Sequence, residues 1–142
     1  QPRIVPQNAA EWALALLSTA LVPALAEEMC FRGMLQGLLT RRLPRAGIWI
    51  TALVFAAVHL QWSALPALFV LGLALGYVNK CHGFWAGVLL HGLYNAAVLV
   101  LSSREIGITL PIVLVCTIAF IFAWRGLMQE EEPHHEADGT GL

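Results

Sequence analysis

Charged side chains are scarce in this sequence. Asp, Glu, Lys and Arg make up 12% of the 142 residues, whereas ~25% is typical of soluble domains. Apolar residues make up 58% and the mean hydropathy is +0.72, which is more apolar surface than one water-soluble core of this size can bury. The composition therefore excludes an ordinary soluble globule and predicts an integral membrane protein.

The sequence also lacks an excess of basic residues. Eight Lys and Arg are balanced by nine Asp and Glu, which gives a formal net charge of −1. No basic face is present to neutralise phosphate groups, so a nucleic-acid partner is not expected. Membrane lipids are the expected surroundings, and the oligomeric state is left open.

Cysteine is rare, and the spacing of the cysteines suggests no pairing. Cys30, Cys81 and Cys116 are far apart and form no CxxC motif, which argues against a disulfide framework or a thiolate metal site. They are predicted to be small buried apolar side chains. The chain begins with Gln1 and shows no charged segment followed by a short apolar core, so we expect a piece of a longer chain without a secretory signal.

The apolar runs predict an all-α fold, a polytopic transmembrane bundle with about five membrane helices. Pro23 is expected to kink the first helix one turn before an acidic pair. We expect a linker at residues 1–10, the membrane domain at 11–128 and a disordered acidic tail at 129–142. The predicted helices are residues 11–40, 46–59, 65–78, 84–101 and 106–124.

Glycines recur at a spacing of four residues in the predicted helices. Such pairs let helix backbones approach closely in lipid, although chance is the alternative in a glycine-rich chain. The pairs are Gly33 with Gly37, Gly72 with Gly76, and Gly83 with Gly87.

Loop charges predict the orientation of the bundle. Arg41, Arg42 and Arg45 follow the first helix, and alternation places Lys80 and Arg125 on the same side, with Arg3 and Arg104 opposite. Cytoplasmic loops carry the excess of basic residues, so the Arg41–Arg45 loop is predicted to be cytoplasmic.

Three ionisable residues interrupt the first helix. Glu28 and Arg32 are four residues apart on one helix face, in the order that favours an ion pair. Glu27 is rotated by ~100° and lacks that partner, which suits it to act as a general base in an apolar setting. Ionisable groups in a membrane are costly and usually functional, but an ion pair that only fixes helix packing is the alternative.

Two histidines and an asparagine occur in later helices. His59 ends the second helix, and His91 and Asn95 are four residues apart on one face of the fourth. At ~1.5 Å per residue, Glu27 and His59 lie ~20 Å and His91 ~12 Å from the cytoplasmic helix ends, so all three can meet in one layer. Such a set can activate water and stabilise an oxyanion. Taken singly, each histidine or asparagine is more often a satisfied core residue or interhelical contact.

These residues resemble the CPBP family of intramembrane proteases, the CAAX-protease and bacteriocin-processing group that includes type II CAAX prenyl endopeptidases. The motifs are EExxxR at residues 27–32, FxxxH at 55–59 and HxxxN at 91–95, in that order. The similarity covers residues 11–124. It implies a peptidase whose substrate is a peptide or prenylated peptide, and we expect it in the plasma membrane of a prokaryote.

The resemblance also implies a role for each matched residue. Glu27 would activate the attacking water with help from His59, and His91 with Asn95 would stabilise the oxyanion. Supporting roles fall to Glu28 and Arg32 as an ion pair and to Phe55 as part of the wall. No cofactor is required by this scheme, but zinc on Glu27, His59 and His91 is left open, because two histidines and a glutamate can form a catalytic zinc site.

Two other classes of function compete with the endopeptidase. The first is a catalytically silent membrane scaffold or bacteriocin self-immunity protein, since parts of the similar family are associated with those roles. The second is a small transporter or proton-relay subunit that uses the same buried acidic residues and histidines. Loss of activity on substitution of Glu27, His59 or His91 separates the peptidase from both.

Overall fold

A computed structural model describes residues 5–104, and every regular element in this range is a helix. Three of the helices are long and apolar enough to cross a membrane, and the fourth, α2, is shorter. This confirms the predicted all-α class with membrane-spanning helices. The fifth predicted helix and the acidic tail lie outside the described residues. The four helices are α1 (Ala9–Arg42), α2 (Ala46–Val58), α3 (Leu65–His82) and α4 (Phe84–Ser103).

The start of α1 is fixed by a capping box. The Asn8 side chain accepts a hydrogen bond from the Glu11 backbone N–H, and the Glu11 carboxylate accepts from the Gln7 backbone N–H at 2.7 Å. The Glu11 N–H, one of the donors that a helix N-terminus leaves unpaired, is thereby satisfied, and Gln7 before the cap is held by the same glutamate. α1 consequently begins at Ala9, two residues before the predicted start.

Two segments of α1 have the wider π-helical turn. The first, Leu17–Leu21, directly precedes the turn that contains Pro23. Proline cannot donate to the carbonyl four residues earlier and its ring crowds that carbonyl, and a wider turn accommodates both effects. The second, Met29–Gln36, directly follows the acidic pair. Such turns are frequent at functional sites.

α2 and α3 pack antiparallel through two glycines of α3. A Cβ on Gly72 would lie 3.0 Å from the Cα of Ala52, and one on Gly76 would lie 2.8 Å from Cγ2 of Ile48. The backbones therefore approach more closely than a side chain on α3 would allow. Gly33, in contrast, has no atom closer than 3.9 Å to a built Cβ, so its spacing to Gly37 reflects no close packing.

Gly72→Ala is expected to destabilise the protein, because the backbone of α2 cannot yield as a flexible side chain would. Overpacking of this kind costs about 1–3 kcal/mol. Gly33→Ala is the matched control and is expected to be neutral or stabilising, because its Cβ meets only ordinary contacts and alanine favours helix. Thermal unfolding in detergent measures both. Equal midpoints for the two variants would contradict the close α2–α3 contact.

α3 is longer than the sequence analysis predicted. The segment 79–82, which was interpreted as part of a connector, continues the helix as far as His82. Gly83 then ends the helix with a φ of +86°, a conformation that glycine adopts without a steric penalty. The helix was predicted to end too early because polar residues at a membrane surface do not interrupt helical hydrogen bonding.

The prediction of buried cysteines is wrong for the two that the structure describes. Cys30 and Cys81 are both exposed on the protein surface. In a membrane protein an apolar side chain needs no protein neighbours, because lipid tails surround it as favourably as a protein core does. Cys116 lies outside the described residues.

α1 runs parallel to α3 and antiparallel to α4. The side chains of Arg32 and Gln36 contact the backbone of Gly72 and Gly76 in the same order along both helices. On α4, by contrast, Gly87 lies beside Glu28 of α1 and the later Gly92 lies beside the earlier Ala24. The three helices thus enclose a common seam, and buried polar side chains lie along it. Within the described range the buried polar or charged residues are Glu28, Arg32, Gln36, Thr51 and His91.

Candidate active site

A carboxylate and two imidazoles meet between α1, α2 and α4. The Oε2 atom of Glu27 lies 3.7 Å from Nε2 of His59 and 3.7 Å from Nε2 of His91. This oxygen is buried and has no hydrogen-bond partner within the described chain. The side chains of Glu27 and His59 are 31% and 26% exposed, whereas that of His91 is 3% exposed. The cluster is therefore open on the side of Glu27 and His59.

His59 is held in one orientation by its own helix. Its Nδ1 lies 2.7 Å from the carbonyl oxygen of Phe55, one turn earlier in α2. A carbonyl oxygen can only accept, so Nδ1 carries the proton. In the neutral ring, Nε2 then has a lone pair directed towards Glu27, and His59 can accept a proton there.

His91 is held by the second glutamate. Its Nδ1 lies 2.9 Å from Oε1 of Glu28, and the same oxygen accepts from Nη1 of Arg32 at 3.0 Å. A carboxylate paired with arginine is an acceptor only, so Nδ1 of His91 is the donor. Nε2 of this ring faces Glu27 at 3.7 Å, so the two glutamates lie on opposite sides of one imidazole and Glu28 alone of them is hydrogen-bonded to it.

Arg32 joins the ion pair to α3. Its Nη2 donates to the carbonyl oxygen of Gly72 at 2.9 Å, while Nη1 holds Glu28. Its guanidinium lies over the ring of Phe55, 4.7 Å from the ring centroid. Nε has no hydrogen-bond partner in the described part of the chain. The cation is therefore compensated by one carboxylate, one carbonyl and two aromatic rings, since the ring of Phe31 also lies 5.9 Å away.

Phe55 is completely buried at the centre of these groups. The centroid of its ring lies 4.7 Å from that of His59 and 5.7 Å from that of His91. On another side the ring of Phe31 meets it edge-on at 5.2 Å. A residue with 0% exposure cannot contact a substrate directly, so any influence of Phe55 passes through its neighbours.

Asn95 follows His91 by one turn on α4 and is half-buried. No hydrogen bond joins its side-chain amide to another residue between positions 5 and 104. Among the described residues the amide thus keeps both of its N–H donors unengaged.

Gln36 is a polar residue of the seam that the sequence analysis missed. Its Nε2 donates to the carbonyl of Gly76 at 3.1 Å, one turn after the bond between Arg32 and Gly72. The signal was present in the spacing, because Glu28, Arg32 and Gln36 follow one another at intervals of four residues on one helix face.

The donor atoms do not form a metal site as they are placed. Among the described residues no group of three His, Cys, Asp or Glu side chains is arranged so that it could hold a metal ion. Glu28, the remaining carboxylate, is already engaged by Arg32 and His91.

Comparisons with known proteins point to one family. Residues 9–97 match the family described as type II CAAX prenyl endopeptidase Rce1-like. The uncharacterized protein YpbD of Bacillus subtilis (strain 168) is 32% identical over 74 residues, which are 52% of this chain and 35% of YpbD. The chain thus spans about a third of the length of this relative, and no solved structure matches it. The matched region contains α1 to α3 and most of α4 with all the residues of the cluster, and the chain belongs to the Rce1-like family of type II CAAX prenyl endopeptidases.

Proposed function

We propose that this chain carries the catalytic centre of an intramembrane endopeptidase that hydrolyses CAAX-type or related peptides with a glutamate-activated water. The observation that carries the proposal is the unpartnered, buried Oε2 of Glu27, equidistant from two imidazole nitrogens. A scaffold has no need of such an arrangement, because an unpaired buried acceptor lowers stability.

In the first step Glu27 and His59 activate water. A water molecule beside Oε2 donates one hydrogen bond to the carboxylate and can donate the other to Nε2 of His59. As its oxygen bonds to the carbonyl carbon of the peptide, one water proton passes to Glu27, and the carbonyl π electrons move to the substrate oxygen. Positioned general bases of this kind contribute about 10²- to 10⁴-fold to the rate.

In the second step His91 and Asn95 stabilise the negative oxygen. The Asn95 amide donates from an uncommitted N–H. His91 can donate from Nε2 only when both ring nitrogens carry protons, because the Nδ1 proton is already donated to Glu28. When the carbonyl re-forms, the C–N bond breaks and the leaving nitrogen takes the proton from Glu27.

The membrane setting of the proposed reaction follows from the helix ends. Arg41 and Arg42 end α1, and Lys80 lies near the end of α3, which runs parallel to α1. These basic residues therefore share one end of the bundle, which we assign to the cytoplasm. The plasma membrane of a prokaryote is the proposed location.

Purified protein is expected to cleave a quenched fluorescent CAAX-type peptide, and to retain that activity in chelator. The prenylated and unprenylated forms of the peptide are compared in parallel, because the family name points to a prenylated substrate. Retention in chelator is expected since Glu27 and His59 supply the base without a metal. The readout is the initial rate of fluorescence increase.

Two results would contradict this proposal in different ways. Loss of activity in chelator, with recovery on adding zinc, would replace the glutamate-held water by a metal-bound one. Absence of cleavage of both peptides would exclude this substrate class and favour the scaffold or immunity function, which an immunity assay then tests.

A further inference from the structure

Phe55 occupies a place in the cluster that no substrate can reach. Its side chain is 0% exposed, whereas the side chains of the proposed catalytic residues Glu27 and His59 are 31% and 26% exposed. A residue that lined the substrate cavity would share that exposure. Its central position among these groups therefore requires another explanation than contact with the peptide.

The same residue contacts His59 twice. Its backbone carbonyl accepts the Nδ1–H of His59 at 2.7 Å, and its ring lies against the imidazole with the centroids 4.7 Å apart. The first contact selects the tautomer and the second limits rotation of the ring about χ2. Together they direct Nε2 towards Glu27.

The ring of Phe55 also contacts Arg32 and the second histidine, His91. Its face receives the guanidinium of Arg32 at 4.7 Å, and it meets the imidazole of His91 at 5.7 Å with an interplanar angle of 73°. Arg32 and His91 both bind the same oxygen of Glu28. The ring of Phe55 thus contacts His59, His91 and Arg32. Arg32 in turn pairs with Glu28, which holds His91.

We propose that Phe55 is a positioning residue that sets the distance and orientation of His59 and His91 relative to Glu27. This inference rests on the proposed function, since it concerns the same centre. The ring acts by excluding alternative rotamers of the two imidazoles, and the separations of 3.7 Å on either side of Oε2 depend on it. Displacements of about 1 Å at a catalytic group are enough to lower rates about 10²-fold.

The test compares Phe55→Leu with Leu75→Ala. Leu75 is also fully buried and belongs to the same apolar cluster, but it has no ring contact with either histidine. Both variants should lower the unfolding midpoint. Only Phe55→Leu is expected to lower kcat, by about 10- to 100-fold with KM little changed, because supporting residues of a catalytic site typically have effects of this size. Equal kcat values per folded molecule for the two variants would overturn the proposal.

A measurement on the unaltered protein keeps the inference testable if Phe55→Leu does not fold. With labelled phenylalanine and histidine, the wild type should give nuclear Overhauser contacts from the Phe55 ring to both His59 and His91, and none to His82 at the exposed end of α3. Missing contacts to either active-site histidine would overturn the inference. If these contacts are present while neither peptide is cleaved, the proposed function fails and the arrangement of the rings stands.

Discussion

Glu27→Gln is expected to lower kcat by about 10²- to 10⁴-fold while leaving the fold intact, because it removes the general base. Glutamine has nearly the same shape but cannot take a proton from water. The unfolding midpoint should change little, since Oε2 of Glu27 makes no hydrogen bond within the described chain whose loss would be felt. Initial rates at saturating peptide and a thermal unfolding curve measure the two quantities on one preparation.

Glu11→Gln is the matched control for this substitution. Glu11 lies on the same helix but at the exposed N-terminal capping box, where glutamine serves as well as glutamate. It is expected to retain wild-type activity. Cleavage by Glu27→Gln at the wild-type rate would assign the base to another group, and His59, with its free Nε2, would be tested next.

The helices could be predicted closely because membrane segments carry a strong and simple signal. Long apolar runs bounded by polar or proline-containing segments fix α2 and α4 to within a few residues. The end of α3 was less accurate because hydropathy reports where a chain leaves lipid and not where its hydrogen bonding stops. The conformation of Gly83 in the structure shows where the helical hydrogen bonding of α3 stops.

Contacts along one helix were also predictable. A separation of four residues placed Glu28 and Arg32 together, and the structure pairs them at 3.0 Å. The rotation that separates Glu27 from this pair follows from the same geometry. The meeting of Glu27 with the histidines was expected from helix depth alone, and this criterion says nothing about which way each helix is turned.

Other contacts between helices therefore stayed beyond the sequence analysis. The bond from Gln36 to Gly76 and the contact of the Phe55 ring with two imidazoles depend on how the four helices are rotated about their axes. Glycine spacing pointed to close packing at three places, but only the structure distinguishes Gly72, which packs closely against α2, from Gly33, where a Cβ would meet only an ordinary contact at 3.9 Å among the described residues. A pattern of small residues permits close approach and does not require it.

Arg32→Ala is expected to lower the free energy of unfolding by about 3–5 kcal/mol, because it leaves a buried carboxylate without its cation. Glu28 is 0% exposed, and one of its oxygens already lacks a hydrogen-bond partner in the described part of the chain. The carbonyl of Gly72 would lose its side-chain donor as well. Thermal unfolding in detergent, followed by tryptophan fluorescence, measures the change.

Two further arginine variants separate the causes of this loss. Arg41→Ala removes an exposed arginine from the last turn of α1 and should leave the midpoint nearly unchanged. Arg32→Lys keeps a positive charge beside Glu28, but a single ammonium group lacks the planar fork that reaches Glu28 and Gly72 together. We therefore expect the unfolding midpoint of Arg32→Lys to lie between those of Arg32→Ala and the wild type.

A midpoint for Arg32→Lys as low as that of Arg32→Ala would mean that the fork geometry, rather than the charge, holds α1 against α3. A midpoint for Arg32→Ala equal to that of Arg41→Ala would contradict the ion pair as a stabilising contact.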